Sequence, residues 1–165
     1  MKQNIKFLVM DVDGTLTDGK IYMGEAGELC KAFDIKDGYG IHDILLPAGI
    51  VPVIITGRKS KILTNRCAEL GIEEIHQGAK DKVAVLDGVL SAYSKADGVR
   101  YAYDSVAYIG DDLNDLPSMQ RIQVGGGIAG CPADAVREVA ACADFVSSRQ
   151  GGNGAVREFI EWLVR

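Results

Sequence analysis

No run of consecutive apolar residues in this 165-residue chain approaches the about 18 needed to cross a bilayer. The first residues form no hydrophobic signal core, so the sequence predicts a soluble, unexported, cytoplasmic protein. Histidine is scarce, with only His42 and His76, and Cys30, Cys67, Cys131 and Cys142 include no Cys-x-x-Cys pair. That argues against zinc and disulfide frameworks and for small buried thiols in a reducing compartment. Lys and Arg are scattered, forming no basic arm or patch, and the net charge is −5. Neither nucleic acid nor a membrane surface is an expected partner. No repeat, low-complexity tract or linker breaks the chain, and its length suits one domain over residues 1–165.

What is present alternates. Strand-like apolar runs fall at residues 5–10, 51–56, 73–77, 106–109, 123–128 and 144–147. Between them lie helical patterns: Leu63, Cys67 and Leu70 before a terminating Gly71, then Val83, Leu86, Leu90 and Tyr93. Val156, Phe159, Ile160 and Leu163 mark a last helix. The alternation predicts an α/β, Rossmann-like fold, a mostly parallel sheet with helices on both faces. One segment departs from the rhythm. Residues 20–23 and 29–35 read as two short strands around Gly24-Glu25-Ala26-Gly27, a β-hairpin flap over about residues 20–35.

The first strand runs directly into Asp11-Val12-Asp13-Gly14-Thr15. Its carboxylates therefore stand at the end of a sheet strand, where open α/β sheets bind ligands. In an extended Asp-x-Asp the two side chains point to opposite sides, so both face one pocket only if the chain bends, which Gly14 permits. Three further sites follow at the same expected edge: Thr56-Gly57-Arg58, Lys82 at a helix start, and Gly110-Asp111-Asp112-Leu113-Asn114-Asp115. Singly, each has a plain alternative. Asp-x-Asp-Gly can be an Asx turn, Thr56 or Asp111 or Asp112 a helix cap, and Lys82 a solvated lysine. Together they suit phosphoryl transfer, which needs a nucleophile, positioning and charge neutralisation. Clustered carboxylates repel unless a cation joins them, and an all-oxygen set suits Mg²⁺. Thr56, the Gly57 amide and Lys82 can hold the transferring oxygens, while a second carboxylate exchanges a proton with the leaving alcohol and with water.

These four motifs, in this order, resemble those of the haloacid dehalogenase superfamily of phosphotransferases. The resemblance implies Asp11 as nucleophile and Asp13 as general acid and base. It implies a metal held by the Asp11 carboxylate, the Asp13 carbonyl and the Asp111 carboxylate, with Asp112, Asn114 and Asp115 behind the ligands or acting through water. Residues 16–55 and 57–81 leave no room for a separately folded cap. Further segments, among them Thr17-Asp18-Gly19, Lys31-Ala32-Phe33, Asp37-Gly38-Tyr39-Gly40, Thr56-Gly57-Arg58-Lys59-Ser60 and Gly151-Gly152-Asn153-Gly154-Ala155-Val156-Arg157-Glu158, resemble the capless 3-deoxy-D-manno-octulosonate 8-phosphate phosphatases. That implies hydrolysis of a sugar-acid phosphate in lipopolysaccharide synthesis and a homotetramer. Hairpins would join its subunits, and the glycine-rich tail of about residues 149–165 would approach an active site.

A sugar acid also needs a cation for its carboxylate. Arg58 beside the Thr56-Gly57 turn suits that role, and Arg149 and Arg157 flank the tail. Competing readings are a nonulosonate 9-phosphate phosphatase, a phosphatase of macromolecular esters, and a phospho-accepting receiver-like module without turnover. Receivers take their phosphoaspartate from a middle strand, whereas Asp11 ends the first.

Overall fold

A computed structural model describes residues 4–165. Its centre is a six-stranded, wholly parallel sheet of β1 (Phe7–Met10), β4 (Val51–Thr56), β5 (Glu74–Gln77), β6 (Val106–Ile109), β7 (Ile128–Cys131) and β8 (Phe145–Val146). The strand order is β5-β4-β1-β6-β7-β8. Period-2 alternation sends the side chains of each central strand to two separate cores. Leu8, Met10, Ile54, Ala107 and Ile109 face one; Phe7, Val9, Val53, Ile55, Val106 and Tyr108 face the other. Helix α2 (Lys61–Leu70) and α6 (Ala155–Val164) cover the first core, while α3 (Lys82–Asp97) and α4 (Leu116–Val124) cover the second. The expected two-faced architecture is what forms.

Connections run one way from β1 to β4 and β5, then return across to β6 on β1's other side. The order therefore reverses between β1 and β6, and such a reversal opens a crevice at the carboxyl ends of the strands. Asp11 and Asp111 each follow one of those two strands.

Two expected strands are corrected. Residues 123–128 do not form a strand: Pro117 stands in the first turn of α4, which continues to Val124, and β7 begins only at Ile128. The β7 sequence, Ile-Ala-Gly-Cys, carries little β propensity because Gly130 must lie flat under Phe159, whose ring carbon would be 2.8 Å from an added Cβ. In the flap, strands β2 (Tyr22–Gly24) and β3 (Gly27–Cys30) pair antiparallel, but β3 stops well before residue 35. Asp34 caps the next helix, α1 (Ile35–Tyr39), by accepting the Lys36 N–H at 2.7 Å. Helix α1 passes straight into a π-helical turn over Gly40–Leu45. Short α5 (Arg137–Cys142) completes the set.

Helix α6 has no side-chain cap of its own, since Gly154 precedes it. Buried Asp37 serves instead, accepting the Gly154 and Arg157 N–H groups at 3.3 and 2.8 Å. Burial outweighs those bonds and pushes its carboxyl up to about 6.

Candidate active site

Asp11 is 4% exposed, at the end of a strand whose side chains are otherwise buried and apolar. Lys82 answers it. Asp81 caps the first turn of α3, and Lys82 follows as its first helical residue, a position where the helix dipole disfavours a cation. The reason lies in its ammonium, which is buried 2.8 Å from Asp11 Oδ1 and 2.7 Å from Asp115 Oδ1. Burial alone would lower the lysine's affinity for its proton, but the two carboxylates outweigh it and raise its pKa.

Asp115 is wholly enclosed and fully engaged. It accepts Lys82 and the Tyr108 hydroxyl at 2.7 and 2.6 Å on one oxygen, and the Asp111 and Asp112 N–H groups at 3.0 and 3.2 Å on the other. It thus shapes the loop after β6 and fixes Lys82. Asp111 faces Asp11 and accepts the Thr15 hydroxyl at 2.9 Å, its one side-chain donor among the described residues. Burial first, then repulsion from Asp11, Asp115 and Asp112, lifts its carboxyl to about 7 against that bond. Asp11 is lifted to about 6, by burial and by Asp115, against the pull of Lys82.

Gly14 makes the bend that the paired aspartates require. It adopts φ +96°, and an added Cβ would meet Asp111 Oδ2 at 2.0 Å. Asp11, Asp13, Thr56, Gly57, Arg58, Asp111, Asp112 and Asn114 consequently line one cleft of about 280 Å³. Thr56 is not a helix cap, because Ser60 caps α2 through Leu63. Asp112 accepts the Leu113 N–H at 2.7 Å and is otherwise exposed.

Two residues of the flap were not singled out for the site by sequence reasoning. Lys31, its side chain 3% exposed, contacts Asp13 directly and Glu28 at 3.1 Å. Glu28 in turn accepts the Ser60 hydroxyl. Arg58 lies 3.7 Å from both Asp13 Oδ2 and Glu28 Oε1. The hairpin therefore packs on its own chain's cleft. Tyr108 was also missed; a tyrosine in an otherwise aliphatic buried strand needs a partner for its hydroxyl, and that was the available signal.

Arg149 and Arg157 do not line this cleft. They border another, of about 390 Å³, with Lys36, Asn153 and Glu161. There Arg157 pairs with Glu161 at 2.6 Å and stacks on Tyr39.

Carboxylate oxygens of Asp11, Asp111 and Asp115 lie within 4.8 Å of one another, with one ammonium among them. Since Asp115 is already saturated, Asp11 and Asp111 are the pair left to hold a cation, and hard oxygen donors fit Mg²⁺. A pH test follows. Asp11, Asp111 and Asp37 bind protons more tightly folded than unfolded, so the part of metal-free stability that these three carry should fall as pH rises from about 4 toward about 7. Mg²⁺ should relieve the Asp11 and Asp111 part only, raising the melting temperature more at about pH 8 than at about pH 5.5. An equal Mg²⁺ effect at both values, measured by scanning fluorimetry, would contradict this assignment.

An Asp-x-Asp-Gly-Thr loop, a strand-end threonine, a buried lysine and an acidic loop around one crevice define a phosphotransferase of the haloacid dehalogenase class. No protein-family model matches the chain. It is, however, 43% identical over 162 residues to the 3-deoxy-D-manno-octulosonate 8-phosphate phosphatase KdsC of Escherichia coli K12, covering 98% of this chain and 80% of that protein. The crystal structure of the corresponding Yersinia pestis phosphatase superposes with a TM-score of 0.88 at 40% identity, over 98% of this chain and 81% of that one. The Moraxella catarrhalis phosphatase, solved in complex with a magnesium ion, a phosphate ion and a KDO molecule, gives 0.86 at 38%, covering 99% and 87%. The chain belongs to the 3-deoxy-D-manno-octulosonate 8-phosphate phosphatase family.

Proposed function

We propose that this protein is a Mg²⁺-dependent phosphatase hydrolysing 3-deoxy-D-manno-octulosonate 8-phosphate through an aspartyl-phosphate on Asp11. The carrying observation is the buried Asp11–Lys82–Asp115 chain beside Asp111, in a chain so similar throughout to phosphatases of that substrate. An Asp11 carboxylate oxygen attacks phosphorus as the ester P–O bond breaks, and Asp13 gives the departing alkoxide its proton. Water then attacks the acyl phosphate at phosphorus, Asp13 takes the water's proton, and Asp11 leaves as carboxylate. Lys82 and Thr56 hold the transferring oxygens. Asp11, Asp111 and the Asp13 carbonyl would hold Mg²⁺, which would supply neutralisation of charge on the phosphoryl group. Asp112 and Asn114 act from the cleft rim through water, and Asp115 acts by fixing Lys82.

Arg58 at the cleft mouth supplies the cation for the sugar-acid carboxylate. Arg149 and Arg157 reach substrate only by assembly, each from one subunit to a neighbour's cleft. The proposed assembly is a homotetramer joined by the hairpins, which expose Ile21, Met23 and Leu29. The cytoplasm suits its four free cysteines, of which Cys67 and Cys131 are buried as expected while Cys142 is half-buried and Cys30 is exposed. Among the described residues no helix is long and apolar enough to cross a membrane.

A panel of phosphate esters tests the reading. With Mg²⁺, the octulosonate 8-phosphate should exceed p-nitrophenyl phosphate and a nonulosonate 9-phosphate in kcat/KM by at least about tenfold, the value of one well-made contact. Preference for the 9-phosphate would move the assignment to that sugar acid. Phosphorylation without continuing phosphate release would move it to a receiver-like module.

A further inference from the structure

We infer that the glycine-rich tail is a strut for its own chain's catalytic loop, and that Gly151 is a positioning residue for the Asp11–Asp111 cation site. The inference rests on the reading of that loop as catalytic. Tail glycines are expected to approach a ligand closely; here they approach a backbone. Gly151 is buried, and a Cβ on it would lie 1.8 Å from the Gly14 carbonyl oxygen and 3.0 Å from that of Thr17. Gly152, at φ +64°, would place one 2.5 Å from the Thr17 carbonyl carbon. Its N–H donates to the Thr15 carbonyl at 3.0 Å.

The loop is therefore held from two sides. Gly14 lies between the tail and Asp111 Oδ2, and Thr15 is bonded to the tail through its carbonyl and to Asp111 through its hydroxyl. Any displacement of the tail toward the loop reaches Asp111 through one residue. The tail itself is secured at both ends. Gly151 N–H donates to Asp134 Oδ1 at 2.9 Å, Ala133 N–H donates to the Arg149 carbonyl at 2.8 Å, and Asp37 holds the N–H groups of Gly154 and Arg157. A strut with both ends fixed transmits displacement instead of absorbing it.

Gly151→Ala isolates this contact, because Gly151 is not among the positive-φ glycines and the new methyl adds only volume. Gly98→Ala is the matched control. It strains a glycine at φ +66° at the C-terminal end of α3, with nothing within 4 Å of an added Cβ and no part in the tail or its anchors. With p-nitrophenyl phosphate, Gly151→Ala should lower kcat by about 10²-fold, as a misplacement near 1 Å does. It should weaken Mg²⁺ binding by calorimetry about 10- to 100-fold, the usual effect of disturbing a ligand's support. Gly98→Ala should lower the melting temperature while kcat and Mg²⁺ affinity stay within about twofold, as for strain remote from the site.

Wild-type kcat and Mg²⁺ affinity in folded Gly151→Ala would overturn the strut, since a purely structural contact changes stability alone. Should Gly151→Ala not fold, Asp134→Ala decides. That exposed residue loses one tail bond without added volume, and amide exchange at Gly14–Thr17 should accelerate while Mg²⁺ affinity falls. Unchanged exchange and affinity would overturn the inference. A wild-type protein inactive on every ester would overturn the proposed function instead, leaving the exchange and calorimetric readouts to judge the strut.

Discussion

Asp11→Asn should abolish turnover, with kcat down on the order of 10⁴ or more, the scale set by loss of a nucleophile. The amide cannot form the acyl phosphate, and it removes half of the charge that Asp11 and Asp111 offer a cation. The fold should survive. Asp11 is lifted to about 6 chiefly by burial, so its ionised form is a cost to the folded state at neutral pH. Metal-free Asp11→Asn should therefore melt no lower than wild type at about pH 8 and gain less from Mg²⁺. Retained kcat above a few percent of wild type would remove Asp11 from the nucleophile's place.

Lys82→Met should do the opposite to stability. Methionine fills similar volume, but it leaves Asp11 and Asp115 buried without their shared cation. Breaking a buried pair from one side costs about 3–5 kcal/mol. For a domain of this size that corresponds to a melting temperature lower by roughly 6–20 °C. The pH dependence identifies the cause. Unpaired Asp11 is tolerated when protonated, so the deficit should shrink as pH falls through about 6 and widen above it. A deficit equal at both ends of that range would assign it to packing. Activity should be lost as well, since Lys82 is the cation that contacts Asp11, whereas Lys31 and Arg58 pair with Asp13 and Glu28.

What could be read from sequence was what is local in sequence. Asp11 and Asp13 follow a buried apolar strand, and Lys82 opens a helix that buries Leu86, Val89 and Leu90, so parallel topology alone brings them to one edge. Asp111, Asp112 and Asp115 share one loop and were legible as a group, but their division of labour was not. Which aspartate accepts four donors and which faces the cleft depends on how the loop folds around Tyr108 and Lys82. Lys31 and Glu28 were illegible as site residues because a hairpin's docking direction is a tertiary matter. The tail shows the opposite difficulty. Its glycines correctly signal close approach, yet nothing in Gly151-Gly152 says whether a ligand or the Gly14 carbonyl is approached. The strand expected at residues 123–128 shows how a proline-started helix can carry an apolar end past its own boundary.

Rapid quenching during turnover of 3-deoxy-D-manno-octulosonate 8-phosphate with Mg²⁺ tests the central claim most directly. Mass spectrometry of the quenched protein reads any phosphoryl group on the peptide carrying Asp11, and the same samples give free phosphate. The expected result is an Asp11 adduct that forms before steady state and vanishes as substrate is exhausted, with phosphate exceeding protein many-fold. Abundant phosphate with no adduct at any time, or a lasting adduct with no phosphate, would contradict the account.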